Sequence, residues 1–170
     1  MSNQTLAEFQ SYVKEKKVAV LGAGISNRPL IRWLYPLTGK IHVFDQLTEE
    51  DEILKRTIND FAAEGLELNW SLGPDYLENL KGFDLIFRTP FMRPDLPRLV
   101  AERARGARVT SEMELFLELC PAPVTAVTGS DGKTTTTTLI SLMLKQAGHK
   151  VYIGGNIGTP LLDQIGDIKS

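Results

Sequence analysis

Short apolar runs that end in glycine or an acid alternate along this chain with amphipathic stretches, and that alternation is its strongest constraint on fold. Lys17-Val18-Ala19-Val20-Leu21 is closed by Gly22, and Lys40-Ile41-His42-Val43-Phe44 is closed by Asp45. Apolar runs without polar alternation read as strands covered on both faces, the condition of a parallel sheet. Further strands are predicted over 66–72, 83–87 and 107–110. Helical spacing occupies 26–37, 48–64, 95–105 and 111–119. In 48–64, Ile53, Leu54, Ile58, Phe61 and Ala62 share a face and Gly65 ends the pattern. Ser111 followed by Glu114 has the form of a capping box. Strands alternating with helices call for a parallel sheet with right-handed crossovers.

Cys120-Pro121-Ala122-Pro123 interrupts this order, because two prolines so close stop a helix and stiffen a connector. The predicted organisation is therefore a first α/β unit, 1–120, and a second unit beginning in 121–170. In the second, 124–128 and 150–153 read as strands, 129–132 as a glycine turn and 133–147 as a helix. The fold class is a Rossmann-like doubly wound parallel sheet followed by the first βαβ of a second α/β domain. A lone βαβ cannot cover both faces of its strands, so the chain reads as the front of something longer. The stretch after Gly154 carries only a weak helical signal at 161–165 and is expected to be loosely held.

Composition removes several classes. The 170 residues carry 19 Lys+Arg against 21 Asp+Glu, a formal net charge of -2. No basic excess marks a nucleic-acid binder, although a few placed amides bind phosphate without one. No apolar run approaches the roughly 18 residues of a membrane span. The polar 1–17 stretch does not read as a signal peptide. Cys120 is the single cysteine, which excludes an internal disulfide and fits a cytoplasmic location.

The segment Gly129-Ser130-Asp131-Gly132-Lys133-Thr134-Thr135 joins a predicted strand to a predicted helix. Free N–H groups at a helix start, with the positive end of its dipole, hold phosphate oxygens. Lys133 is placed to neutralise the β- and γ-phosphates of ATP and the Thr134 hydroxyl to ligate Mg²⁺. The usual pattern would put a glycine at position 127, where this chain has Val127. Thr136 to Thr138 read as packing residues.

Gly22-Ala23-Gly24-Ile25-Ser26-Asn27 follows the first strand with two glycines of the dinucleotide fingerprint but Asn27 in place of the third. The segment reads either as a nucleotide diphosphate site or as a structural turn. Asp45 reads either as a ribose-binding carboxylate or as a surface strand end. Thr89-Pro90-Phe91 falls at the same sheet edge, either lining the site or turning the chain. His42 and His149 read as ordinary strand residues. Arg88, Arg93, Arg98, Arg103, Arg105 and Arg108 read as a solvated basic face.

These residues resemble a known family. The loop 129–135 is similar to the G-[ST]-[ND]-G-K-[ST]-[ST] loop of the Mur ligases, ATP-dependent enzymes of peptidoglycan synthesis that also lack the first glycine of the usual pattern. Gly154-Gly155-Asn156-Ile157-Gly158-Thr159-Pro160-Leu161 and Ser111-Glu112-Met113-Glu114-Leu115-Phe116 look like segments of the branch that adds D-glutamate to UDP-N-acetylmuramoyl-L-alanine. The resemblance implies a UDP-substrate-binding first unit and an ATP-binding second one. Onto matching positions it carries UDP-substrate contacts for Gly22, Gly24, Ile25, Ser26, Asp45 and Asn156. It carries ATP contacts for Gly129, Ser130, Asp131, Gly132, Lys133, Thr134 and Thr135. Lys133 takes the catalytic role and Thr134 the Mg²⁺. The implied reaction forms an acyl phosphate from the substrate carboxylate and ATP, which the amine of D-glutamate then attacks. As a front piece without a D-glutamate site, the chain is expected not to complete it alone. Two departures stand out: Thr89-Pro90-Phe91 where the family commonly has Ser-Pro-Gly, and Asp131 where it commonly has asparagine. The alternatives from other classes are a stand-alone UDP- or dinucleotide-binding module and a small P-loop kinase or NTPase. The second lacks a later apolar strand ending in Asp.

Overall fold

The structure, a computed structural model, describes residues 4–155 and 160–169. Five parallel strands form its sheet in the order β3-β2-β1-β4-β5: β1 Val18–Leu21, β2 Ile41–Asp45, β3 Asn69–Leu72, β4 Leu85–Phe87 and β5 Arg108–Thr110. The chain winds outward from β1 through β2 to β3, then returns to the other side of β1 for β4 and β5. The reversal puts the switch point between the C-terminal ends of β1 and β4, where such sheets bind ligands. Every residue of β1 is buried, as a central parallel strand requires.

Helices cover both faces. α2 (Asn27–Thr38), α3 (Glu52–Ala63) and α5 (Glu112–Leu119) set Leu30, Ile31, Leu34, Leu54, Phe61, Leu115 and Phe116 against Val18, Val20, Val43, Leu85 and Phe87. On the other face Leu99 of α4 (Pro97–Ala104) and Leu80 meet Ala19, Leu21, Phe44 and Ile86. The Asp51 carboxylate caps α3 by accepting from the Ile53 and Leu54 amides. The Ser111 hydroxyl caps α5 by accepting from the Glu114 amide. The described residues contain no helix long and apolar enough to cross a membrane.

One helix has no counterpart in the sequence reading. α1 (Leu6–Val13) starts with a full capping box between Thr5 and Glu8 and buries Phe9 and Val13, with Phe9 stacked on Trp33 at 5.9 Å. Two predicted strands are absent. Residues 124–128 and 150–153 form no ladder with any described strand, and Val124 is 46% exposed. A β-prone sequence becomes a strand only when a neighbour takes its backbone groups. The predicted helix between them is present as α6 (Lys133–Gln146), with Leu139, Leu142 and Met143 facing solvent.

The expectation of a loose tail is also corrected. A 3₁₀ helix, Leu162–Asp167, lies against α2 and α5, and Leu162, Ile165 and Ile168 join the main core. Their spacing of three matches the three residues per turn of that helix. Tyr152 Oη donates to the Asp167 carbonyl at 2.8 Å, tying the tail to the segment before it.

Candidate functional site

Gly22 leaves β1 with φ +90°, and a Cβ there would lie 3.0 Å from Thr89 Cγ2. Both conditions favour glycine. The Gly22 amide donates to the Phe44 carbonyl at 2.6 Å. Asp45, only 8% exposed, accepts from the Ala23 amide at 2.7 Å through Oδ2 and from the Leu47 amide at 3.0 Å through Oδ1. The carboxylate is thus a fastener between the ends of β1 and β2, and not a surface strand end.

Asn27 explains the missing third glycine. Its buried Nδ2 donates to the Leu21 and Gly22 carbonyls at 3.0 and 2.9 Å. Arg28 Nε donates to the Ala23 carbonyl at 2.9 Å. The carbonyls of the turn are therefore satisfied from within. The amides of Gly24, Ile25 and Ser26 have no partner among the described residues, and the Ser26 side chain caps nothing. Three free donors at the start of a twelve-residue helix could each donate to an anion.

The Thr89 turn abuts this one. Met92 N donates to the Thr89 carbonyl at 3.1 Å, closing a β-turn with Pro90 and Phe91 at its tip. Arg88 was absent from the sequence reading as an individual residue, yet it braces the turn. Its Nη1 lies 3.4 Å from the Thr89 and Met92 carbonyls, and Nη2 donates to Glu114 of α5 at 2.8 Å. Tyr76 is a second residue the sequence does not single out. Burial and the nearby Asp45 carboxylate push its hydroxyl pKa upward.

The second glycine loop begins with Gly129 at φ +156° and ends with Gly132 at φ +73°, the N-cap of α6. Gly132 takes a left-handed conformation that residues with a Cβ avoid. Thr136 N reaches back to the Gly132 carbonyl at 2.9 Å, while the Lys133, Thr134 and Thr135 amides have no partner among the described residues. Lys133 Nζ donates to the Gly129 and Ser130 carbonyls at 2.5 and 3.0 Å. The ammonium is thus held by two carbonyls of its own loop. Asp131 is exposed and makes no ion pair among the described residues. The exposed Thr134 hydroxyl has no partner either.

Asn156 lies outside the described residues. At the ends of its segment Leu161 rests on Gly154, where a Cβ would fall 2.2 Å from Leu161 Cγ. No three His, Cys, Asp or Glu side chains converge on a metal site among the described residues. His42 is a β2 residue bonded to Ser71, but His149 follows α6 in a turn, its amide on the Leu144 carbonyl. Of the six arginines, Arg93, Arg98, Arg103 and Arg105 are exposed, as a solvated face requires, whereas Arg88 and Arg108 are partly covered and pair with Glu114 and Glu118.

This geometry, two glycine loops that each start a helix with unpaired amides, coincides with sequence relationships. Residues 127–166 match the Mur ligase middle domain. The chain is 56% identical over 167 residues to the UDP-N-acetylmuramoylalanine--D-glutamate ligase of Acetivibrio thermocellus, covering 98% of this chain and 35% of that protein. The protein of the same name from Ruminiclostridium cellulolyticum is 57% identical over 166 residues, again 98% of this chain and 35% of that one. The chain is similar to these Mur ligases over nearly its whole length. The counterpart from Clostridium acetobutylicum is 52% identical over 163 residues, 96% of this chain and 35% of that protein. The chain thus spans about a third of the length of the Mur ligases it matches.

Proposed function

We propose that this chain supplies the nucleotide-substrate unit and the phosphate loop of an ATP-dependent ligase. The ligase joins D-glutamate to UDP-N-acetylmuramoyl-L-alanine in the cytoplasm, for peptidoglycan precursor synthesis. The observation that carries the reading is the pairing of two amide-lined helix starts, one at the sheet's switch point and one at a Gly-Lys-Thr loop. Near-complete coverage of the chain by relatives named for that reaction supports it.

In this reading residues 1–120 hold the UDP-substrate and 121–170 begin the ATP-binding unit. Gly24, Ile25 and Ser26 offer amides to the UDP diphosphate, and Gly22 lets the backbone come close. Asp45 acts mainly by holding that turn, and its remaining lone pairs stay available to the nucleoside. Asn156 contacts the muramoyl part. The Gly129 to Thr135 loop wraps the ATP phosphates, with Lys133 moving from its carbonyl partners to the β- and γ-phosphates. Thr134 fits a Mg²⁺ ligand because its hydroxyl is free at the loop end. The metal, when bound, neutralises phosphate charge.

The chemistry is phosphoryl transfer followed by amide formation. A substrate carboxylate oxygen attacks the γ-phosphorus while its bond to the bridging oxygen of ADP breaks. The amine of D-glutamate then attacks the acyl carbon and phosphate leaves. The part assigned to these residues is alignment and charge neutralisation. No residue of this chain is assigned to D-glutamate.

The test is a calorimetric titration with UDP-N-acetylmuramoyl-L-alanine, with NAD as control ligand. Binding of the UDP-sugar alone supports the reading. Binding of NAD alone overturns it in favour of a dinucleotide-binding module.

A further inference from the structure

Among the large apolar residues described, the two most exposed are Phe91 at 97% and Ile25 at 87%. Single exposed apolar residues are ordinary on a protein surface. These two, however, occupy the two turns that meet at the switch point, where Thr89 Cγ2 would touch a Cβ on Gly22 at 3.0 Å. Ile25 lies among the free amides that begin α2, and Phe91 lies at the tip of the adjoining turn.

The exposure of Phe91 is built in. Pro90 fixes the second position of the turn, the Met92 amide closes it on the Thr89 carbonyl, and the half-buried Met92 side chain packs against the cluster that holds Ile86 of β4. The aromatic ring between them is left outside. Arg88 holds this arrangement from beneath. Its side chain is 14% exposed, its Nη1 faces the Thr89 and Met92 carbonyls, and Glu114 anchors its other end. Its Nε is buried with no hydrogen-bond partner among the described residues. A long cation placed at that cost, to face two carbonyls of one short turn, serves to fix the turn.

We propose that Phe91 stacks on the nucleobase of a nucleoside diphosphate bound at the Gly22 turn, with Arg88 as the positioning residue that presents it. This rests on the reading of the Gly22 turn as a diphosphate site. An aromatic face beside a diphosphate-binding backbone is the arrangement that grips a base by stacking. Because every base has a π-face, Phe91 supplies affinity for a base, while hydrogen bonds from other groups select uracil.

The experiment measures calorimetric affinities of the chain for UDP and for inorganic pyrophosphate, using the wild type, Phe91→Ala, Phe91→Tyr, Arg88→Ala and Arg88→Lys. Phe91 is on the surface, so its variants fold. The expected result is that Phe91→Ala loses about fivefold or more in UDP affinity with pyrophosphate unchanged, while Phe91→Tyr retains UDP binding. Arg88→Ala loses UDP affinity in the same way and Arg88→Lys restores part of it. Phe91→Ala binding UDP as tightly as the wild type overturns the stacking role and leaves the diphosphate site standing. Equal loss of UDP and pyrophosphate overturns it too, by showing that Phe91 supports the backbone. A wild type that binds neither probe overturns the diphosphate reading and the proposal with it.

Discussion

The Asp45 carboxylate at the end of β2 accepts a hydrogen bond from the Ala23 amide across 2.7 Å, so one strand end holds the glycine turn that follows another. Its second oxygen takes the Leu47 amide at 3.0 Å. Asparagine has one acceptor oxygen and would set its NH₂ against one of these donors. Asp45→Asn is expected to lose about 1–3 kcal/mol of stability and to weaken UDP-substrate binding with it. Urea unfolding and calorimetry on the same variant check this. Lost affinity at unchanged stability would make Asp45 a direct ligand contact and not a fastener.

Among the described residues, Lys133 Nζ bonds only to the Gly129 and Ser130 carbonyls of its own exposed loop. Lys133→Met is therefore expected to leave stability within about 0.5 kcal/mol. Its affinity for ATP is expected to fall about tenfold or more, because a charged hydrogen bond to phosphate is lost. Equilibrium binding of ATP to wild type and variant decides it, and equal affinities would exclude Lys133 from the phosphate site.

The sheet and both glycine loops were legible in the sequence because their signals are local. An apolar run closed by Gly22 or Asp45 states a buried strand and its end in a few residues. What was missed depended on distant partners. Val124 to Thr128 has strand-forming residues, but no described strand takes its backbone bonds. Asp45 read equally as a ribose-binding carboxylate or a surface strand end, and only folding buries it and reveals the Ala23 amide beside it. Arg88 was hidden among neighbouring arginines until the fold brought Glu114 to it. The Thr5–Glu8 capping box and the spacing of Leu162, Ile165 and Ile168 were readable. Both lie in stretches judged by polarity or by a 3.6-residue period, which a short capped helix and a 3₁₀ turn escape.

Ile165 is 3% exposed in a core shared with α2 and α5. Ile165→Ala is expected to cost about 2–4 kcal/mol through lost burial and a residual cavity. Denaturant unfolding followed by Trp33 fluorescence reports it. A loss below about 1 kcal/mol, typical of surface positions, would show that the tail is not docked in solution.

His42 Nε2 lies 2.9 Å from Ser71 Oγ, and its ring stacks on Phe44 at 4.4 Å with Phe83 edge-on at 5.8 Å. Burial lowers its pKa, and a hydrogen bond from the ring to the Trp70 backbone carbonyl only partly offsets this. The unfolded chain then takes up a proton near pH 6.5, before the folded chain does. Stability is expected to decline as pH falls below about 6.5 and to level off below the folded value. His42→Phe should flatten that part of the profile, measured by urea unfolding across the range. An unchanged slope in the variant would place the titrating group elsewhere.

Glu112 titrates with the opposite sign. Burial raises its pKa most, Asp163 on the 3₁₀ helix adds repulsion, and a hydrogen bond from the Leu162 amide opposes both. Burial raises Asp163 as well, with Arg32 pulling it back. A raised carboxylate pKa means that the charged form is disfavoured by folding. Stability from this pair is therefore fully present below the unfolded values near pH 4 and is lost as pH rises through the folded ones. Glutamine at 112 keeps an acceptor for the Leu162 amide and removes the charge. Glu112→Gln is expected to stabilise the chain at neutral pH and to be less sensitive than the wild type to acidification toward pH 5. The comparison is urea unfolding of the two proteins at pH 7 and pH 5. A variant less stable at pH 7 would mean that the charged carboxylate strengthens the Leu162 hydrogen bond more than its burial costs, and that Glu112 clamps the tail through its charge.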